Sequence, residues 1–256
     1  MQFIYTSIAL KLSAINLLIK TKYKSQNTGK KQLKGYPVIA MFFGLLINFI
    51  TQAATMLQID QFPENLSKDC RAGKAKIYDE CSSQSEILKA AIKRATETDK
   101  SVLVVYGSEW CIWCHVLEKY IQGGSGYFEY EWESEDTTER WPMQEKENKR
   151  AHIEAAVLNR YVARNFVVAH IEGTFSPDGI EVMASTGFDL SKIRAIPFIM
   201  VVDNKGQYVV RMQDYDLIEG LEIRSDNGEE YRGFNRLVLV KELLKLRKAA
   251  IQLPLL

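Results

Sequence analysis

The chain has 256 residues, 46% of them hydrophobic and 25% charged, the proportions of an ordinary globular protein of one or two domains. Lys and Arg number 33 against 32 Asp and Glu, so there is no overall basic excess to argue for nucleic acid as a partner. No internal repeat or low-complexity tract is present.

The basic residues are nevertheless unevenly spread. Lys20, Lys22, Lys24, Lys30, Lys31 and Lys34 crowd one segment, and no acidic residue precedes Asp60. The uncharged apolar run Val38 to Ile50 follows them. It is short for a bilayer span and about the length of the apolar part of a signal peptide. Thr51-Gln52-Ala53-Ala54 then offers small residues for cleavage after Ala53 or Ala54. Residues 1–54 are therefore expected to be a signal or targeting region, with the remainder periplasmic or otherwise exported. The alternative is an uncleaved anchor holding the domain outside the cytoplasm. Membrane contact is expected only through this segment. Residues 1–35 are long for a basic leader and fit either an upstream start or a first amphipathic stretch, IALKLSAINLLIK.

All four cysteines follow: Cys70, Cys81, Cys111 and Cys114. An even count in an exported protein permits disulfides. Cys70 and Cys81 flank RAGKAKIYDE in an expected N-terminal extension, residues 55–84, and a local structural disulfide between them is the expectation; two unrelated cysteines are the alternative.

From Ser85, a plausible N-cap, Ile87, Leu88, Ala91, Ile92 and Ala95 recur at helical spacing, and Asp99-Lys100 ends the pattern. SVLVVYG, 101–107, is the short β-branched run of a buried central strand. The Cys111/Cys114 pair comes directly after it, and CHVLEKYIQ begins the next helix. Residues 122–150 are polar and aromatic without a clear period, which predicts an insertion or long loop. Its Tyr127, Phe128, Tyr130, Trp132 and Trp141 fit either a client-binding surface or local packing. A helix over 145–165 carries Ile153, Val157, Leu158 and Tyr161 as one stripe. FVVAHIEG (166–173), IPFIMVVD (196–203) and YVVRM (208–212) read as strands, the last two joined by a turn at Asn204-Lys205-Gly206-Gln207. A final amphipathic helix places Leu237, Val240, Leu243 and Leu244 at intervals of three and four. Helical crossovers between the first strands and a turn between the last two imply a mixed sheet covered by helices.

Three chemistries use Cys-x-x-Cys followed by His. A c-type haem would take His115 as axial ligand, but it wants a helical, haem-wrapping chain rather than a motif launched from a buried strand. Zinc would need two more ligands, and Cys70 and Cys81 are widely spaced and lie before the first helix, so no metal site is expected. A redox dithiol explains both spacing and placement: a cysteine at a helix N-terminus has its thiolate favoured by unpaired N–H groups and the helix dipole, and a second cysteine one turn inside can resolve a mixed disulfide. Cys111 is thus the expected nucleophile and Cys114 the resolving residue. His115 either favours a thiolate or, as preferred here, is a polar first-turn residue pointing away. His152 and His170 are read as ordinary surface or strand-edge residues.

VLVVYGSEWC, with Trp110 directly before Cys111-Ile112-Trp113-Cys114, and AIPFIMVVDNKGQ downstream resemble the thioredoxin superfamily. The flavour is that of exported bacterial thioredoxin-like thiol–disulfide oxidoreductases. The resemblance covers about 85–250, with 122–150 unmatched. It implies an α/β thioredoxin-like fold over residues 85–256, a central mixed β-sheet flanked by helices with an insertion after the active-site helix. It also implies that Pro197 is a cis-proline facing the dithiol, that Ile196 offers backbone hydrogen bonds to a client strand, and that Trp110 packs beside the dithiol. The family's buried Asp, which helps deprotonate the resolving cysteine, falls on Val105; Glu109 is expected to be too exposed to replace it. Ile112-Trp113 between the cysteines adds no charge and is read as a hydrophobic lip for clients.

The expectation is a thiol–disulfide oxidoreductase without cofactor, acting on cysteine-containing client proteins and recycled by a redox partner. The alternative is a thioredoxin-fold binding or chaperone-like module whose dithiol is incidental.

Overall fold

A computed structural model describes residues 56–70, 74–125, 128–133, 138–143, 149–212, 222–226 and 229–252 of the chain. The targeting segment and Tyr127 lie outside the described residues. The described residues belong to one compact unit, Ala53–Leu256, and no helix among them is long and apolar enough to cross a membrane.

The centre is a five-stranded mixed sheet. β1 (Gln61–Phe62) and β2 (Ser101–Gly107) run parallel on either side of β5 (Phe166–Glu172). β6 (Phe198–Val202) pairs antiparallel with β2, and β7 (Tyr208–Arg211) antiparallel with β6, giving the order β1-β5-β2-β6-β7. This is a thioredoxin-like α/β arrangement. The helices are α1 (Gln84–Thr98), α2 (Ile112–Ile121), α3 (Lys149–Asn165), α4 (Gly179–Ser185) and α5 (Arg236–Ile251).

The period-2 alternation of the strands sorts the core into two layers. Leu103, Val105, Phe166, Val168, Ile199 and Val201 face one side, against Val116, Leu117, Leu158, Val162, Leu239 and Leu243 of α2, α3 and α5. Val102, Val104, Val167, Ala169, Ile171 and Met200 face the other, against Ile87, Leu88 and Ala91 of α1 and Val182 and Met183 of α4. Because both faces are covered, β2 and β5 are apolar almost throughout, which is why they were legible as runs.

Several boundaries and faces differ from expectation. Ser83, not Ser85, caps α1: its backbone is extended and its side chain accepts from the Glu86 N–H, while the Asp178 carboxylate accepts from the N–H groups of Gln84 and Ser85. Residues 55–84 are not merely an appendage: β1 is an edge strand, and Asp60 ties it to α1 and β2 through Arg94 (2.9 Å) and Lys100 (2.6 Å). On α3 the inward face is Ala151, Ala155, Leu158 and Val162, whereas Ile153 and Val157 are exposed; alanines let the helix lie close to its neighbours. On α5 the buried set is Arg236, Leu239, Leu243 and Leu246, with Leu237 and Leu244 turned outward. The stretch 122–150 is not a structureless loop. It contains an antiparallel hairpin, β3 (Phe128–Glu133) with β4 (Thr138–Met143), pairing Tyr130 with Trp141. A second hairpin, β8 (Glu222–Asp226) with β9 (Glu229–Gly233), follows the sheet.

Candidate functional site

β2 delivers the chain to the C-terminal end of the central strands, and α2 starts five residues beyond Gly107. Cys111 is the N-cap of α2: its backbone is extended and its Sγ accepts from the Cys114 N–H at 3.2 Å. Cys111 and Cys114 are joined as a disulfide, as are Cys70 and Cys81. Both Cys111 and Cys114 are buried, and they form a small apolar cluster with Ile77 and Tyr78, against which Trp113 and Ile196 pack. The Ile196–Pro197 peptide bond is cis and leads directly into β6, so Ile196 reaches the disulfide from across the sheet end.

Trp110 is 39% exposed, and its indole donates to Thr174 Oγ1 at 3.1 Å, on the loop after β5. That loop is shaped by Glu172, a fully buried carboxylate that accepts from Ser108 Oγ (2.5 Å) and from the N–H groups of Thr174, Phe175 and Ser176. Trp113 is not an outward lip; it is half-buried, and its ring meets Phe234 edge-on at 5.9 Å. Ile112 likewise packs on the main core.

Three polar residues depart furthest from expectation. Glu109 is buried, because its carboxylate accepts from the N–H groups of Lys76 (2.9 Å), Ile77 (3.0 Å) and Tyr78 (2.9 Å). A carboxylate held by several backbone donors can leave water without losing its hydrogen bonds. His115 is also buried: its Nε2 donates to the Glu109 carbonyl at 2.7 Å and lies 3.4 Å from the Glu109 carboxylate. Burial is the main reason its pKa falls to about 4, with the charge of Lys76 adding to it, against the opposing pull of the Glu109 carbonyl. His170 lies in the middle of β5, 2% exposed, not at a strand edge. It pairs in register with Val105, and alternation aims it at the face covered by α2, 3.3 Å from Glu118 Oε2. His152 is exposed, as expected, with Nδ1 2.7 Å from Ser125 Oγ.

Tyr78 completes the site from the segment before α1. It is fully buried, its ring meets that of His170 edge-on at 5.4 Å, and its hydroxyl and Cys114 Sγ both press on Gly107. Its position follows from the Cys70–Cys81 loop. Asp79, buried, accepts from Ser67 N and Oγ and from the N–H groups of Cys81 and Ser82, folding that loop back on itself. Burial pushes the Asp79 carboxyl up, but these donors outweigh it and hold it below the ordinary value. Cys70, Asp79 and Cys81 bring donor atoms together as a metal site would, yet the sulfurs are spent on the disulfide and a metal requires thiolates.

The arrangement is a two-cysteine centre at a helix N-terminus, faced by a cis-proline strand and backed by a buried set of Tyr, His and Glu. Sequence reasoning missed Tyr78, Glu109, Glu118 and His170. For His170 a signal existed: it shares the parity of Phe166 and Val168.

No protein-family model matches the chain, and no curated protein matches it. Among solved structures it is similar to the disulphide isomerase from Xylella fastidiosa Temecula1, with 21% sequence identity and a TM-score of 0.33, over 52% of this chain and 76% of that one.

Proposed function

We propose that the protein is an exported thiol–disulfide oxidoreductase acting on cysteine-containing client proteins. The observation that carries the reading is Cys111 standing as N-cap of α2 with Cys114 one turn inside and bonded to it. Once the pair is reduced, the unpaired N–H groups and the dipole of the helix end favour a thiolate at Cys111 over one at Cys114. The Cys111 thiolate attacks one sulfur of a client disulfide, forming a mixed disulfide and releasing the other client sulfur as thiolate. Cys114 then attacks Cys111 Sγ, releasing the client dithiol and restoring the Cys111–Cys114 bond. Two electrons pass from the protein to the client; run backwards, the same steps oxidise one.

The cis Ile196–Pro197 segment borders the disulfide, where a client strand lying alongside would meet the Ile196 backbone. Ile77 and Tyr78 cover the sulfurs, so a client reaches Cys111 on the Trp110 and Ile196 side or displaces that cover. The cysteine pairing suits an oxidising compartment, in keeping with the apolar run at 38–50.

Insulin reduction and refolding of a scrambled disulfide protein, run on wild type and Cys111→Ser, test the reading. Turnover that disappears with Cys111 supports it. Equal behaviour of the two proteins would sink it.

A further inference from the structure

Five of the nine large hydrophobic side chains exposed among the described residues sit on two helices: Ile153 and Val157 on α3, and Leu237, Leu244 and Ile251 on α5. These helices pack side by side on one face of the sheet. α5 is apolar on two sides. Leu239, Leu243 and Leu246 enter the core, while Leu237, half-buried Val240, Leu244 and Ile251 form a second row turned away from it. A helix of that kind is ordinarily covered on both sides, and exposed apolar residues are ordinarily scattered singly. Here they gather on one surface.

Cations border the same surface. Steps of four and three put Lys241, Lys245 and Lys248, all exposed, along one side of the α5 stripe. The same steps put Ile153, Val157, half-buried Arg160 and exposed Arg164 in a single row on α3. α5 carries five basic residues against one acidic and α3 four against one, whereas from Asp60 onward the chain as a whole is acidic, 32 against 26. Both acidic residues are withdrawn: Glu242 is buried and bridged to Lys245, and Glu154 is half-buried. α1, which covers the opposite face of the sheet, differs. Its charges are balanced and paired, Lys89 with Glu86, Lys93 with Glu97 and Arg94 with Asp60.

We propose that the outer faces of α3 and α5 dock the protein on the surface of an anionic lipid bilayer. The Leu, Ile and Val side chains enter the boundary between headgroups and acyl chains. Lys and Arg, their stems lying along apolar surface, reach the lipid phosphates. Both halves of the surface are needed to choose this occupant. A nucleic acid offers negative charge but no apolar phase for Leu244 and Ile251. A second copy of the chain offers an apolar face but sets lysine rows against lysine rows. An anionic bilayer meets the apolar stripe and the cations together. Beyond Ile251 the sequence runs Gln-Leu-Pro-Leu-Leu, continuing without charge. The N-terminal segment is the membrane contact expected from the sequence; this is a second, built by the folded domain, and none of its residues belongs to the cysteine site.

The test is lysine footprinting by amine acylation and mass spectrometry, on the full chain mixed with vesicles of phosphatidylglycerol or of phosphatidylcholine. Docking predicts that Lys241, Lys245 and Lys248 react severalfold more slowly with phosphatidylglycerol vesicles than without lipid, while Lys89 and Lys93 on α1 keep their rates. The measurement reads which face is covered, so contact through the N-terminal segment does not by itself produce this pattern. Phosphatidylcholine vesicles should leave all of these rates unchanged, and 1 M salt, with a screening length of about 3 Å, should remove the protection. Arg164→Gln takes one exposed cation from α3 and should raise the half-protecting lipid concentration about fivefold, the weight of one cation at such a surface. Leu237→Gln/Leu244→Gln, at exposed positions, should raise it about tenfold or more. Equal protection of the α1 and α5 lysines, or protection that phosphatidylcholine gives as well, would overturn the proposal. So would protection that grows with protein concentration in the absence of lipid, which marks a contact between copies. Unchanged rates at every lysine in phosphatidylglycerol overturn it outright.

Discussion

The imidazole of His115 donates from Nε2 to the backbone carbonyl of Glu109 at 2.7 Å, across the turn that launches the cysteine helix. A carbonyl oxygen only accepts, so Nε2 carries a proton, which in the neutral ring fixes the tautomer. Burial disfavours the charged form and lowers its pKa to about 4. The folded state therefore resists protonation where an unfolded chain, with an ordinary histidine value near 6.5, accepts it. This contribution is fully present above about pH 6.5, declines as the pH falls toward 4, and is flat below that, amounting to about 3 kcal/mol. Urea unfolding of wild type and His115→Gln between pH 7.5 and 4 checks it: the difference in pH slope between the two should concentrate in that window. Parallel slopes would show that His115 is not held neutral.

Glu109 performs a second task. Its carboxylate collects the N–H groups of Lys76, Ile77 and Tyr78, fastening the segment before α1 to the turn before α2. Glu109→Gln replaces one acceptor oxygen with an amide that faces donors, leaving at least one buried N–H unpaired. A loss of about 2–4 kcal/mol in unfolding free energy follows from charge-assisted bonds of this kind. Hydrogen exchange at Ile77 and Tyr78 should accelerate well before exchange in β2. Unchanged protection at those amides would refute the fastening role.

The Cys70–Cys81 disulfide closes the loop that Asp79 folds, and Tyr78 lies within it. A loop of eleven residues is short, so the double variant Cys70→Ser/Cys81→Ser should lose only about 2–3 kcal/mol by the chain-entropy account. Its larger consequence is local. With the loop open, Tyr78 is less firmly seated on Gly107, and access to the Cys111–Cys114 pair increases. Alkylation of the reduced active-site cysteines should be faster in this variant than in wild type, and equal rates would speak against Tyr78 as a cover.

Much of this architecture is written in the chain, and the exceptions have physical causes. SVLVVYG was legible as β2 because both faces of that strand are buried and nothing polar breaks the run. Pro197 and the cysteine spacing were legible because each is punctuated by residue types with few uses. Tyr78, Glu118 and His170 were not, since a buried polar side chain looks the same in sequence as an exposed one until its partners are known. Tyr78 lies in a loop without period, held by Glu109 and a disulfide rather than by a pattern. His170 carried a partial signal: in FVVAHIE it alternates with Phe166 and Val168, which puts it on the inner face beside Val105. The hairpin at 128–143 was hidden by its polar composition, although Phe128, Tyr130 and Trp132 recur with period two. On α3, Ile153 and Val157 drew attention by size, while the alanines between them make the contact.

Gly107 gives the sharpest structural test, because the absence of a side chain there is what lets Tyr78 and Cys114 meet. A β-carbon would stand 2.5 Å from the Tyr78 hydroxyl, 2.6 Å from Cys114 Sγ and 2.9 Å from Tyr78 Cζ. Real atoms do not approach so closely, so in Gly107→Ala one of the two side chains must move. Overpacking of this kind costs about 1–3 kcal/mol. Tyr78→Phe deletes the atom in the tightest contact with the tyrosine ring while leaving Cζ in place. The double variant Gly107→Ala/Tyr78→Phe should therefore be more stable than the sum of the two single changes implies, by roughly 0.5–1 kcal/mol, as touching residues are not additive. Strict additivity in urea unfolding would mean that the hydroxyl does not crowd the space beside Gly107.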